Sequence, residues 1–216
     1  MGNLYAMNLS AVLPEERWHV LLEGLPEERQ RRALACRRAE DGARIAGAGW
    51  LLRQALDWWG IPPAQQAFIK NPWGKPKLLN QTRPQFSLSH SGPWVLCAVG
   101  DAPLGVDIES SRCTMQMASR FFHPREAAFA ASLPPEEQAE ALCRLWVAKE
   151  AFLKAEGTGL HRPLSSFCVR LTKEVASLEI PGTLLRLHEY ALGAYRVCLC
   201  ARESRPALIP VVLPAL

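Results

Sequence analysis

Residues Gly105-Val106-Asp107-Ile108-Glu109 set the tightest limit on how this chain can fold. Val106 and Ile108 are β-branched and alternate with two carboxylates, a period-two pattern that predicts a strand. One face would carry Val106 and Ile108 into a core, and the other would carry Asp107 and Glu109. Two carboxylates on one face repel unless positive charge lies between them, and an oxygen-loving divalent cation such as Mg²⁺ is the usual answer. An ordinary half-buried strand with a solvated acidic face shows the same alternation. The neighbouring stretches decide between the two.

The 216 residues suffice for one large domain or two small fused ones. With 49% hydrophobic and 21% charged residues, the composition is that of a soluble globular protein. A net charge of +4 gives no strong nucleic-acid signature, although Arg29, Arg31, Arg32, Arg37, Arg38 and Arg44 cluster into a local candidate for an anion site. No segment approaches a transmembrane helix, and the N-terminus reaches Glu15 and Glu16 without an apolar signal core, so the expected location is cytoplasmic. The 7 cysteines include no CxxC pair. Cys198 and Cys200 share one face of a predicted strand and read as small buried apolar residues.

Along the chain, Leu4 to Leu13 read as a first strand. Pro14-Glu15-Glu16 and Pro26-Glu27-Glu28 each open a helix, with proline and acids where a helix N-terminus favours them. A helical pattern from Ala39 to Trp59 persists despite Gly47 and Gly49, and Gly60-Ile61-Pro62-Pro63 ends it. Asn71-Pro72-Trp73-Gly74-Lys75-Pro76-Lys77 is a turn-rich loop in which a lysine between glycine and proline can face a phosphate. An exposed loop with chance lysines reads the same way.

Phe86 and Leu88 alternate like a strand up to Ser89-His90-Ser91-Gly92, and Trp94 to Val99 reads as the return strand of a hairpin. Hydroxyls, amides and an imidazole at a strand end can all bind phosphate. A serine–histidine nucleophile is disfavoured, because adjacent strand residues face opposite ways and GxSxG is absent. Asp101-Ala102-Pro103 marks the expected boundary between residues 1–102 and 103–216. Phe121 to Glu126 reads as a helix end, a turn and a new helix start. Pro134-Pro135 then opens a helix that reaches Glu156, in which Trp146, Glu150 and Lys154 are four apart and share a face. Phe167 to Leu171, Leu184 to Leu187 and Tyr195 to Cys200 read as strands of a second sheet. Ala207 to Leu216 is apolar, broken by proline and too short to span a membrane.

Taken together, four stretches resemble the phosphopantetheinyl transferases of the Sfp type: Trp73-Gly74-Lys75-Pro76, Phe86 to Gly92, Gly105 to Glu109, and Trp146-Val147-Ala148-Lys149-Glu150-Ala151-Phe152-Leu153-Lys154. They occur in the family's order and separations. The resemblance implies an α+β fold, a pseudo-twofold pair of similar subdomains, each a small antiparallel sheet packed on a long helix. It also implies transfer of the 4′-phosphopantetheine arm of coenzyme A to a serine of an apo acyl, peptidyl or aryl carrier protein, releasing 3′,5′-ADP. On that resemblance Asp107, Glu109 and Glu150 hold Mg²⁺, Glu150 is general base, and Lys154 binds the pyrophosphate. Trp73, Gly74, Lys75 and Pro76 form the adenine and phosphate loop, Ser89 and His90 contact phosphate, and Arg31 and Arg44 pair with the 3′-phosphate. The family often has a second basic residue where this chain has Glu28. A monomer is the expected state, with neither nucleic acid nor membrane as partner. Two rivals use the same residues: a metal-dependent phosphoesterase acting on a nucleotide-like substrate, and a non-catalytic coenzyme A-binding module.

Overall fold

Local sequence signals set most element boundaries in the computed structural model, which describes residues 2–110, 113–202 and 204–212. The chain opens with strand β1 (Asn3–Asn8), shorter than the Leu4–Leu13 strand expected. It ends there because the Asn8 side chain turns the backbone, its Oδ1 accepting the Ser10 amide at 2.8 Å. The segment after Pro14 is a 3-10 helix, Pro14–Leu22. Helices α1 (Glu27–Leu34) and α2 (Ala39–Trp58) follow. Next come β2 (Phe68–Lys70), β3 (Pro76–Leu78), β4 (Gln85–Ser91), β5 (Trp94–Gly100) and β6 (Leu104–Glu109). Helices α3 (Met115–Phe121), α4 (Pro124–Ser132) and α5 (Pro135–Glu156) precede β7 (Val169–Leu171), β8 (Ala176–Leu178), β9 (Arg186–Leu192), β10 (Tyr195–Ala201) and β11 (Leu208–Val211). Residues 213–216 of the apolar C-terminal stretch lie outside the described residues.

One topology occurs twice. A strand, a long helix and a hairpin follow in sequence, and the first strand pairs antiparallel with the last: β1, α2, β4, β5 in order β1-β5-β4, then β6, α5, β9, β10 in order β6-β10-β9. This repetition is the α+β architecture that the sequence motifs imply. It departs from two purely antiparallel sheets in one respect, since β11 adds to the first sheet parallel to β1. The segment around Phe167 also leaves the second sheet, and β7 pairs with β8 alone. Its backbone is held instead by a buried ion pair, with Val169 N donating to Glu126 and Lys149 to Phe167 O.

Period-two patterning stacks these parts into four layers. Tyr5, Met7, Val95, Cys97 and Val99 face α2, whereas Leu4, Ala6, Leu96 and Ala98 face the second sheet, meeting Val106, Ile108, Val197 and Leu199. Cys198 and Cys200 turn to the α5 side, fully buried as small apolar residues. The glycines of α2 are contact points rather than weaknesses: a Cβ on Gly42 would come within 2.7 Å of Ala33 O, so α1 can lie against α2 only without it. Gly105 does the same for β6, where a Cβ would sit 2.1 Å from Ala151 O of α5. That close approach brings the carboxylate face of β6 against the helix bearing Glu150 and Lys154.

Candidate active site

With Val106 and Ile108 in the core between the sheets, Asp107 and Glu109 point the other way, as their spacing requires. That face is not solvated, however. Asp107 is 7% and Glu109 8% exposed, closed in by α5 and β4.

From α5, Lys154 reaches across to β6 and β4. Its Nζ lies 2.7 Å from Asp107 Oδ1, 3.1 Å from Ser89 Oγ and 3.1 Å from Val106 O. Ser89 is fully engaged: its hydroxyl donates to Asp107 Oδ1 at 2.7 Å while its oxygen accepts from Lys154 and from Ile108 N. Glu109 accepts on Oε1 from Ser91 Oγ at 2.8 Å and Ser110 N at 2.9 Å. Glu150 is one helical turn before Lys154. Burial, and then the like charge of Asp107, raise its pKa above the ordinary carboxylate value, against the opposing pull of Lys154.

The three carboxylates therefore share one region without converging. Among the described residues no group of three or more His, Cys, Asp or Glu side chains is disposed to hold a metal ion. Asp107 is instead paired with an ammonium, and Glu109 with a hydroxyl and an amide.

A second cluster sits at the end of β4. Arg44 of α2 donates to Gly92 O at 3.0 Å and pairs with Asp41. The His90 imidazole is held below its usual pKa by partial burial, then by the positive charges of Arg44 and Lys154. An imidazole with two cations nearby is an arrangement that an anion would complete. Arg31 is exposed on α1, a different helix from the one that carries Arg44.

The loop 71–76 behaves differently from an open phosphate loop. Asn71 Oδ1 accepts the amides of Trp73 and Lys75, Gly74 takes φ 89°, and Trp73 is half exposed. Lys75 Nζ turns inward to Lys154 O at 2.6 Å and Leu104 O at 3.0 Å, and Asn71 Nδ2 reaches Gly157 O at 2.8 Å. Loop and lysine thus cap the carbonyls at the C-terminus of α5, which Gly157 ends at φ 78°. Burial pulls the Lys75 pKa down to about 8.

Sequence reasoning passed over Ser87, Ser91 and Asn71. The signal was present for the first two, because Ser87, Ser89 and Ser91 repeat at the same interval of two as Asp107 and Glu109.

Glu150 allows a direct test of this electrostatic reading. Its folded-state pKa lies above its unfolded value, so the native state binds more protons, and the group's contribution to stability is lost as pH rises through that window. A ¹³C carboxyl titration is expected to place Glu150 above the ordinary glutamate range, and Asp107→Asn to move it back down. A midpoint that ignores that substitution would remove Asp107 as a cause.

Comparison with known proteins identifies the family. Residues 103–200 match the family model of the 4′-phosphopantetheinyl transferase superfamily. A 4′-phosphopantetheinyl transferase from Bacillus subtilis is 36% identical over 176 residues, covering 77% of this chain and 78% of that protein. The 4′-phosphopantetheinyl transferase Sfp of Bacillus subtilis strain 168 is 33% identical over 186 residues, covering 82% and 81%. The transferase HetI of a Nostoc species is 35% identical over 157 residues, covering 69% and 66%. The chain belongs to the 4′-phosphopantetheinyl transferases.

Proposed function

We propose that this chain transfers the 4′-phosphopantetheine arm of coenzyme A to the hydroxyl of a serine on an apo acyl or peptidyl carrier protein. The products are the holo carrier and 3′,5′-ADP. One observation carries the assignment within the family: Asp107, Lys154 and Ser89 hydrogen-bond to one another between β6, β4 and α5, with half-buried Glu150 near enough for its charge to couple to Asp107 and Lys154.

In this reading Glu150, ionised, takes the proton of the carrier serine, and its raised pKa makes it a stronger base than a solvated carboxylate. The serine oxygen bonds to the phosphorus bearing the pantetheine arm. The bond from that phosphorus to the bridging oxygen breaks, and 3′,5′-ADP leaves with the electron pair. Lys154 stabilises that developing charge, which requires its ammonium to exchange Asp107 for phosphate oxygens. Ser89, His90 and Arg44 serve the phosphates from the end of β4. Trp73, Gly74, Lys75 and Pro76 form one wall for the nucleotide, with Lys75 acting through the cap of α5. Arg31, exposed on α1, would pair with the 3′-phosphate.

The donor chemistry suits a divalent cation, although binding would require the three carboxylates to turn together and Lys154 to leave Asp107. The donors are all carboxylate oxygens, the hard ligands that an oxygen-preferring divalent cation takes. Asp107, Glu109 and Glu150 would hold Mg²⁺, which when bound supplies Lewis-acid polarisation of the pyrophosphate oxygens. The two halves, 1–102 and 103–216, would close on coenzyme A as a cytoplasmic monomer. The arginine-rich α1 offers an acidic carrier a complementary surface. Among the described residues no helix is long and apolar enough to cross a membrane.

Asp107→Ala is expected to slow transfer about 10²- to 10³-fold with the fold retained, since it removes a charged partner at the reacting centre. Near-normal turnover would remove Asp107 from the site. The deciding experiment is intact-mass analysis of an apo carrier incubated with the enzyme, coenzyme A and Mg²⁺, with EDTA as control. One added phosphopantetheine, abolished by EDTA, supports the transferase. Consumption of coenzyme A without carrier modification would replace it with the phosphoesterase, and binding without turnover on several carriers would leave the coenzyme A-binding module.

A further inference from the structure

β4 and β6 belong to different sheets, and among the described residues no backbone ladder joins them. Their junction is built from hydroxyls. Ser87, Ser89 and Ser91 are all buried on the β4 face that β6 meets. Ser87 Oγ accepts Val106 N at 3.1 Å, and Ser89 Oγ accepts Ile108 N at 3.3 Å, so two edge amides of β6 find side-chain partners where a strand would otherwise supply carbonyls. Ser89 and Ser91 then donate outward to carboxylates, at 2.7 Å to Asp107 and 2.8 Å to Glu109.

We propose that Ser91 is a positioning residue for Glu109, and that the serines of β4 divide two tasks: Ser87 seals the sheet junction, Ser91 orients a cation-binding carboxylate, and Ser89 does both. This rests on the reading of Asp107, Glu109 and Glu150 as the cation-binding set. The Ser91 hydroxyl and the Ser110 amide converge on the same oxygen, Oε1, which fixes the rotation of the Glu109 carboxylate on its stem. A glutamate has three side-chain torsions to lose before it can ligate, so a fixed carboxylate binds at lower entropic cost. Hydrogen-bonding partners behind a ligating carboxylate contribute to metal affinity in this way, and losing one weakens binding about 10- to 100-fold. Ser87 hydrogen-bonds a backbone amide of β6 rather than a carboxylate, which makes it the internal control for a purely structural hydroxyl.

The test uses Mn²⁺ as probe, with free Mn²⁺ measured by electron paramagnetic resonance in the ligand-free protein, beside thermal melts and coenzyme A calorimetry. Ser91→Ala is expected to weaken Mn²⁺ binding about tenfold or more, while coenzyme A affinity measured in the absence of divalent cations is held. Ser91→Thr, which keeps the hydroxyl, is expected to restore Mn²⁺ binding. Ser87→Ala is expected to lower Tm by about 3 °C, leaving Val106 N without its partner, and to bind Mn²⁺ as the wild type does. The proposal is overturned if Ser91→Ala binds Mn²⁺ normally, or if Ser87→Ala weakens it equally. A wild-type chain that binds no Mn²⁺ would bring down the cation reading first, and the role of Ser91 with it.

Discussion

Replacing Glu150 with glutamine is expected to lower the rate of carrier modification about 10³-fold with the protein still folded. Glutamine keeps the volume and helix propensity of the side chain but cannot accept a proton at neutral pH. Placement of a general base contributes about 10²- to 10⁴-fold, so the loss should fall within that span. The group is suited to the task because burial and Asp107 raise its pKa. The loss should appear in single-turnover kinetics at saturating coenzyme A, where binding no longer limits the rate. Coenzyme A affinity should change far less than the rate. A variant within tenfold of wild type would mean that the serine proton goes elsewhere, to water or to another carboxylate.

The second large effect lies one residue away and concerns stability. Lys149 and Glu126 are both 0% exposed, with Nζ 2.6 Å from Oε1. The carboxylate also accepts His123 N at 2.9 Å and Val169 N at 2.6 Å, and Lys149 lies 4.1 Å above the Phe167 ring and 5.6 Å from that of Phe122. Burial pulls the lysine pKa down, and the adjacent carboxylate opposes that pull. Breaking such a pair leaves an uncompensated charge in the core. Lys149→Met is expected to cost about 3–5 kcal/mol in urea unfolding. That is a large share of the roughly 5–15 kcal/mol that holds a typical domain folded. The double variant Glu126→Leu/Lys149→Met should recover much of the loss, since two apolar groups of similar volume need no pairing. A single variant within about 1 kcal/mol of wild type would show that water already reaches the pair.

Much of this was legible in the sequence, because periodicity acts locally. Val106 and Ile108 had to oppose Asp107 and Glu109 once the stretch was a strand, and Glu150 had to share a face with Lys154 once theirs was a helix. What periodicity could not tell was which charges would pair. Lys154 reads as a phosphate ligand yet rests on Asp107, and Lys75 reads the same way yet caps the carbonyl end of α5. Such choices depend on the distance between elements, which Gly105 sets by letting β6 approach α5. The Lys149–Glu126 pair spans helices that no motif joins. The parallel pairing of β11 with β1 joins residues at opposite ends of the chain, and no local signal announces a contact of that length.

That last strand has a consequence for how the molecule can be divided. Because Leu208–Val211 lies in register with Leu4–Met7, the segment after β10 returns to complete the sheet begun by the first residues. The chain is buckled rather than merely duplicated. A fragment ending near residue 102 would expose the outer edge of β1, and its complement would carry a strand with no sheet to join. Gene splitting at the midpoint should therefore give two sticky pieces that recover activity only when mixed.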